Sequence, residues 1–399
     1  MEIWMFKNKF LMIFICAFAG VTLIFGATLG IIVGVRSSRA VVNYGSVRIE
    51  AGALRYLSAY YKLSYIRALR ASGVNVSDTD AFWSSEAEQG KTQGDLYEES
   101  FEGYIRSLAA SANTFLTESS YTKADKASVE ATVEEVLAYK AGGSIDEFNR
   151  LSEKYGFDYD DFCDAAEILY KADRAKYILY GESGENLASF PDECDKYLET
   201  YSRVKLIFIR DKEIFRTDEE GKILYGDDGN ALLREMTEEE KAVRLGYIET
   251  LDAAIDSRKN GGDRQITPEM FNIYLEKSDG DASMHNKGYY FNEKSDATAE
   301  FATVFPEVVE RALEMSAGEY EKVACSIGVC YIYKENVVSG AYDDEEDPFF
   351  SDFYSDASEY LYAEILDIIA PEVTVKDKFY EVDYSEIPKL SDFVILQWK

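Results

Sequence analysis

The stretch FPEVVERALEMSAGEYEKVACSIGVCYIYK, residues 305–334, decides the fold of its region because it joins a helical pattern to a strand pattern. Apolar residues recur at helical spacing in its first part, at Phe305, Val308, Val309, Ala312 and Leu313. Gly318 stands where this helix should end, and Gly328 separates the apolar runs VACSI and VCYIY. The stretch therefore predicts an amphipathic helix followed by a β-hairpin.

The upstream sequence supplies the other elements of a small α+β domain. RVKLIFI (203–209) predicts a first strand, and the residues from Thr237 to Asn260 predict a long helix. MHNKGYYF (284–291) then places a glycine beside aromatic residues. In this order the elements resemble the parvulin class of peptidyl-prolyl isomerases over residues 203–335. The positions that carry the resemblance are Gly288, Phe291, Phe305, Val309, Ala312, Leu313, Gly318 and Gly328.

Two positions depart from the parvulin pattern. The family has one histidine in its first strand and another in its last strand, and here those positions are Leu206 and Cys330. The one histidine of the chain, His285, lies in the loop before Gly288. Rotation about a peptide bond has a barrier of roughly 18–20 kcal/mol and breaks no covalent bond. The resemblance therefore implies a shaped apolar pocket that lacks the polar centre of the family.

Six residues are the candidate lining of this substrate groove, and no catalytic residue is assigned. They are Leu206, Phe208, Tyr290, Phe291, Phe305 and Cys330. If Leu206 and Cys330 face each other across a pocket floored by Phe291 and Phe305, a substrate groove is retained. If that face is packed shut, the domain is architectural. The sequence leaves open whether the chain is an active parvulin-type isomerase.

The N-terminal region predicts a membrane span. Between Lys9 and Arg36 lie 26 uncharged, mostly apolar residues, and as a helix they would extend roughly 39 Å, more than a bilayer core of about 30 Å. We expect residues 10–35 to be an uncleaved signal anchor in the cell membrane, with the bulk of the chain extracytoplasmic, although the flanking charges do not discriminate the orientation. Gly26, Gly30 and Gly34 form a GxxxGxxxG face that would allow two such helices to approach closely, so a homodimer through these glycines is one alternative. Glycine is also common in unpaired membrane spans.

Charge and cysteine content exclude several classes of function. The net charge is −32, and because residues 1–40 carry +3, residues 41–399 carry −35. Such a field repels nucleic acid and anionic lipid surfaces. The five cysteines include no CxxC motif or Cys/His cluster, so we predict no metal and no cofactor. Cys325 and Cys330 are expected to be buried free thiols, with a disulfide between them as the alternative in an oxidising compartment.

The region before the first parvulin-like strand is predicted to be largely helical. It begins with VVNYGSVRI (41–49), a short strand pair turning at Tyr44 and Gly45, followed by a helical stripe. This segment resembles the start of the N-terminal domain of SurA-type and PrsA-type foldases. The predicted domains are 1–40, the cytoplasmic tip and anchor; 41–200, a helical SurA-N-like chaperone domain; 201–336, the divergent parvulin-like domain; and 337–399, an acidic loop with a C-terminal helix and strand returning to the chaperone domain.

The fold class follows as α+β: an N-terminal transmembrane helix, a helical chaperone domain, and a small antiparallel sheet flanked by helices. The resemblance implies a membrane-anchored foldase or chaperone that binds unfolded or proline-containing segments of exported proteins, with weak or absent catalysis. An active isomerase with a divergent site and a non-catalytic scaffold of a membrane complex are the alternatives. Isomerisation and aggregation assays discriminate among the three.

Overall fold

The computed structural model describes residues 40–390, except residues 89, 227, 228, 230, 263–265, 345 and 346. It is an α+β protein in two compact units. Unit 1 contains the described residues up to Ser183 and from Tyr362 onward, and unit 2 is Gly184–Leu361. The helices are α1 (Ala51–Ala71), α2 (Asp80–Trp83), α3 (Gln93–Glu118), α4 (Lys123–Ala141), α5 (Ile145–Ser152), α6 (Tyr159–Tyr180), α7 (Pro191–Leu198), α8 (Glu238–Lys259), α9 (Pro268–Leu275), α10 (Met284–Lys287), α11 (Asp296–Val304), α12 (Pro306–Glu314) and α13 (Phe353–Ile369). The strands are β1 (Val42–Tyr44), β2 (Val47–Ile49), β3 (Glu86–Glu88), β4 (Lys91–Thr92), β5 (Ser202–Arg210), β6 (Glu213–Phe215), β7 (Leu233–Glu235), β8 (Tyr289–Phe291), β9 (Tyr320–Cys325), β10 (Gly328–Glu335) and β11 (Thr374–Val375).

Unit 1 is built on the long helices α1, α3 and α6, which contact one another. Helix α3 begins with a capping box, in which the Thr92 hydroxyl accepts from the Asp95 N–H and the Asp95 carboxylate accepts from the Thr92 N–H. The largest fully buried hydrophobic side chains of the core are aromatic: Tyr56, Tyr97, Tyr155, Tyr384, Phe101, Phe148 and Phe162. A three-stranded antiparallel sheet in the order β11-β1-β2 completes the unit.

The turn predicted at Tyr44 and Gly45 is confirmed, because β1 and β2 pair antiparallel on either side of it. Gly45 has φ +51°, in the left-handed region that favours glycine. The next amide, Ser46 N–H, donates to the Asn113 side-chain oxygen at 2.9 Å. Asn113 lies on α3 and is buried, so this hydrogen bond fixes the β1–β2 turn on the helical core.

Unit 2 contains a four-stranded antiparallel sheet in the order β8-β5-β10-β9. Successive residues of a strand point to opposite faces, so each strand contributes to two layers. One face packs through Ile207, Ile209 and Tyr331 into a cluster with residues of α8 and α9. The opposite face carries Leu206 and Phe208 and lies under α11 and α12. The position of each candidate groove residue along its strand therefore decides on which face of the sheet its side chain lies.

Several predicted elements are confirmed with small shifts of their ends. The helix predicted from Thr237 to Asn260 is α8, whose N-cap is Thr237 and whose C-cap is Asn260. The helix predicted to start at Phe305 is α12, and Phe305 is its N-cap residue as well as the C-cap of α11. The hairpin predicted around Gly328 is β9–β10. The segment VTVKDKFYEVDY (373–384), expected to be strand-like, contributes only the two-residue strand β11 and a short 3₁₀ turn.

The fold-class prediction was wrong in including a transmembrane helix. None of the helices in the described part of the chain combines the length and the apolar character needed to cross a membrane. The predicted span at residues 10–35, with its Gly26, Gly30 and Gly34 pairing face, lies outside the described residues. The corrected fold class is α+β, with helices and small antiparallel sheets.

Candidate functional site

Five of the six predicted groove residues share one side of the unit 2 sheet. Cys330 on β10 lies directly opposite Phe208 on β5, and Leu206 lies opposite Ile332. Leu206 and Cys330 are therefore diagonal neighbours on adjacent strands of the same face. Phe291 pairs with Ser202 on the other side of β5, in the same alternation. Phe305 reaches this face from the start of α12, with its ring centroid 4.7 Å from that of Phe208.

This face is closed by aromatic side chains. The Phe301 ring lies 5.4 Å from Phe305 and 5.1 Å from Phe291, and the Phe349 ring lies 5.5 Å from Phe291. Under this cover Leu206 and Phe208 are 2% exposed, and Phe291 and Cys330 are 0% exposed. Phe305 is half-buried. The five residues form an apolar layer of the domain core, and their side chains leave no open groove between them.

Tyr290 is the predicted groove residue that the fold separates from the others. It pairs with Arg203 in the β5–β8 ladder and so points to the opposite side of the sheet. Its ring lies 4.8 Å from that of Phe350, and the Arg203 guanidinium lies 5.9 Å from its centroid. Sequence adjacency to Phe291 suggested a shared pocket, but residues adjacent in a strand face opposite ways.

The chemistry of the closed face is that of a core. Burial raises the pKa of the Cys330 thiol well above its ordinary value, so the thiol stays neutral at physiological pH. Cys325, Cys330, Cys163 and Cys194 are free thiols. His285 lies on α10, where burial lowers its pKa. Among the residues that the structure describes, no group of three or more His, Cys, Asp or Glu side chains could hold a metal ion.

A second site, which the sequence reasoning missed, is a groove along α8 with a volume of about 470 Å³. We call it the α8 groove, and its lining is Ile214, Glu239, Glu240, Val243, Arg244, Tyr247, Glu276, Lys277, Ser278 and Asp279. Glu239, Val243 and Tyr247 recur at intervals of four and therefore lie on one side of α8. Val243 is 53% exposed. The available signal in the sequence was the apolar Val243 and the aromatic Tyr247, four residues apart on a helix rich in charged residues.

Buried polar contacts fix the floor of the α8 groove. The Arg244 guanidinium contacts Asp279, with Nη2 and Oδ1 2.7 Å apart, and both side chains are largely buried. The other carboxylate oxygen of Asp279 accepts from the Arg210 N–H at 2.9 Å, and the Asp279 N–H donates to the Phe208 carbonyl at 2.8 Å. The floor of the groove is thus attached both to α8 and to the central strand β5.

No family model matches the chain, and no curated protein matches it. Among solved structures, the chain is similar to PrsA from Bacillus subtilis, with 14% identity over 74% of this chain and 90% of that chain and a TM-score of 0.20. It is also similar to the foldase protein PrsA from Lactococcus lactis, with 14% identity over 76% of this chain and 98% of that chain and a TM-score of 0.19. At these scores the similarity is weak and assigns no function to the chain.

Proposed function

We propose that this protein is a foldase-like holding chaperone, which binds unfolded or proline-containing polypeptide segments without appreciable isomerase catalysis. The observation that carries the proposal is the burial of Leu206 and Cys330, the two positions that match the histidines of parvulins. A substrate would have to displace the aromatic cover to touch either side chain. Exposing one aromatic side chain to water costs about 1.5–3 kcal/mol. Behind the cover the substrate would contact only the aliphatic side chain of Leu206 and the neutral thiol of Cys330.

An apolar strip at the edge of the same face, formed by Val304 and Phe305, supports binding of a polypeptide segment without catalysis. Val304 is 54% exposed at the end of α11, next to the half-buried Phe305. The Ser326 hydroxyl donates to the Val304 carbonyl at 3.4 Å, so the β9–β10 turn and the half-buried Cys325 lie beside this strip. Exposed apolar side chains can contact an unfolded segment without opening the core. The strong negative charge of the chain keeps such a surface soluble.

The catalytic question is tested by a protease-coupled peptide isomerisation assay on the full chain. We expect no rate above background in the wild-type protein or in Cys330→Ala. The matched control is Cys194→Ala, which removes another fully buried free thiol of unit 2, in α7. A rate above background that falls in Cys330→Ala and not in Cys194→Ala contradicts the proposal and favours an isomerase with a divergent site.

The binding question is tested by the light scattering of a chemically unfolded client protein diluted into buffer with and without the full chain. We expect suppression of aggregation at a near-stoichiometric ratio. If neither isomerisation nor suppression is found, the chain is better described as a scaffold. We also propose that the clients are exported polypeptides met outside the cytoplasm, and protease accessibility of the chain in intact cells tests that location.

A further inference from the structure

The α8 groove has the chemistry of a docking site, and its lining is both apolar and acidic. We propose that it binds a basic, aliphatic segment of another polypeptide, in which Lys or Arg residues flank Val, Ile or Leu. This inference rests on the proposed chaperone function and names where, and by which chemistry, a client segment binds. It concerns a site separate from the Leu206 and Cys330 face.

The apolar part of the lining comes from Ile214, Val243 and Tyr247. Ile214 and Tyr247 are half-buried, and Val243 is 53% exposed, so each keeps apolar surface that a bound side chain could cover. The Tyr247 ring meets Tyr274 of α9 edge-on, with centroids 6.1 Å apart. The volume of about 470 Å³ lies in the range of pockets that hold small ligands or short peptide side chains.

The charged part of the lining favours a partner with positive charge. Glu239 and Glu276 are exposed, and neither carboxylate has an ion-pair partner within the described part of the chain. Glu240 is already engaged, because Arg234 Nη2 lies 2.6 Å from its Oε1. Lys277 contributes one ammonium group, so the unpaired carboxylates exceed the unpaired cations. Unit 2 as a whole has 41 Asp and Glu residues against 19 Lys and Arg residues. This field attracts a basic segment and repels an acidic one.

The groove is preformed, which reduces the conformational entropy lost on binding. Arg244 donates to the Lys277 carbonyl at 3.2 Å while it contacts Asp279, so the floor and α8 move together. The Ser278 hydroxyl accepts from the Phe208 N–H at 3.0 Å, which attaches the floor to the sheet. A partner that enters this groove orders mainly itself, and its apolar contacts are not offset by rearrangement of the protein.

The test is fluorescence anisotropy of the full chain with a labelled peptide of alternating Lys and Val or Leu residues, compared with an analogue that has Glu for Lys. We expect the basic peptide to bind at least about tenfold more tightly than the acidic analogue. Val243→Asn should weaken binding of the basic peptide by about tenfold, which corresponds to loss of one aliphatic contact. Leu245→Asn is the matched control, because Leu245 is 54% exposed on the same helix and does not line the groove. The control should bind the peptide as the wild-type protein does.

Three results would overturn the inference. One is equal affinity for the two peptides, and another is the same loss in Val243→Asn as in Leu245→Asn. The third is a dimer in sedimentation velocity that Val243→Asn dissociates, because the occupant would then be a second copy of the chain. If the wild-type protein suppresses aggregation and Val243→Asn suppresses it equally, the groove inference fails and the chaperone function stands. If the peptide binds as expected and aggregation is not suppressed, the groove stands and the chaperone function fails.

Discussion

Replacing Lys62 with methionine tests how residues 383–390 are held in unit 1. Lys62 lies fully buried on α1, and its ammonium group donates to the carbonyl oxygens of Ser385 and Ile387, both at 2.6 Å. The same ammonium lies 3.6 Å from Asp78 Oδ1 and 4.4 Å from the Trp83 ring centroid. Methionine fills a similar volume but has no donor, so both carbonyl oxygens would lose their charged partner.

The magnitude is a balance of two terms. Hydrogen bonds to charged groups contribute about 1.5–3 kcal/mol each, and two are lost. Burial lowers the pKa of Lys62, because the charged form is desolvated, and methionine removes that desolvation cost. We therefore expect the free energy of unfolding to fall by about 3 kcal/mol. Typical domains are stable by about 5–15 kcal/mol, so the variant should remain folded with residues 383–390 detached more often.

Urea unfolding of the full chain measures the loss, and hydrogen exchange locates it. The Leu390 N–H donates to the Ala59 carbonyl at 2.9 Å, so its exchange should accelerate in Lys62→Met. Lys91→Met is the control, since Lys91 and Glu99 form an exposed ion pair at 2.7 Å that should contribute less than about 1 kcal/mol. A Lys62→Met protein that is as stable as the wild type, with unchanged Leu390 exchange, would refute the reasoning. It would mean that the cost of burying the charge equals what its hydrogen bonds contribute.

Two further predictions concern unit 1. Gly45→Ala should destabilise the protein by about 2–3 kcal/mol, because φ is +51° and a Cβ would lie 2.0 Å from the Asn113 side-chain oxygen. Gly142→Ala, at φ +58° with no atom within 4 Å of the added Cβ, should cost only about 1 kcal/mol, and equal losses in urea unfolding would contradict the assigned clash. Burial and the neighbouring Asp383 raise the pKa of Glu98 from 4.5 to about 7, so the folded state binds its proton more tightly than the unfolded state. The resulting gain in the free energy of unfolding should be complete below pH 4.5 and lost as the pH rises through about 7. We expect the gain to be about 1 kcal/mol, because Glu98 is partly exposed. Urea unfolding at several pH values should show this change in the wild-type protein and not in Glu98→Gln.

The elements that local chemistry specifies were predictable from sequence. Helix α8 has a capping residue at Thr237 and charged residues at both ends, and its predicted limits, Thr237 and Asn260, are its two cap residues. Gly45 and Gly328 mark turns because each has a backbone conformation that side chains disfavour. The segment 373–384 was not predictable in the same way. Its apolar residues alternate as in a strand, but only Thr374 and Val375 have a strand to pair with, since β1 is three residues long.

The candidate site was predictable only in part, because its state depends on contacts that are distant in sequence. The sequence left open whether Leu206 and Cys330 face each other, and the strand register of the structure places both on one face of the sheet. The closure of the face depends on Phe301 and Phe349, and Phe349 lies in a short 3₁₀ helix, Pro348–Phe350, after the last strand of the sheet. The residue types at positions 206 and 330 and the closure of the face are physically linked. Polar side chains at positions 206 and 330 would need solvent or hydrogen-bond partners, whereas Leu and a neutral Cys can be covered without leaving an unsatisfied group. With Leu206 and Cys330 at these positions, closing the face carries no such penalty, and burial of the aromatic rings favours the closed state. Cys330→His should for that reason lower the free energy of unfolding in urea, because a polar ring under the aromatic cover would lack a hydrogen-bond partner.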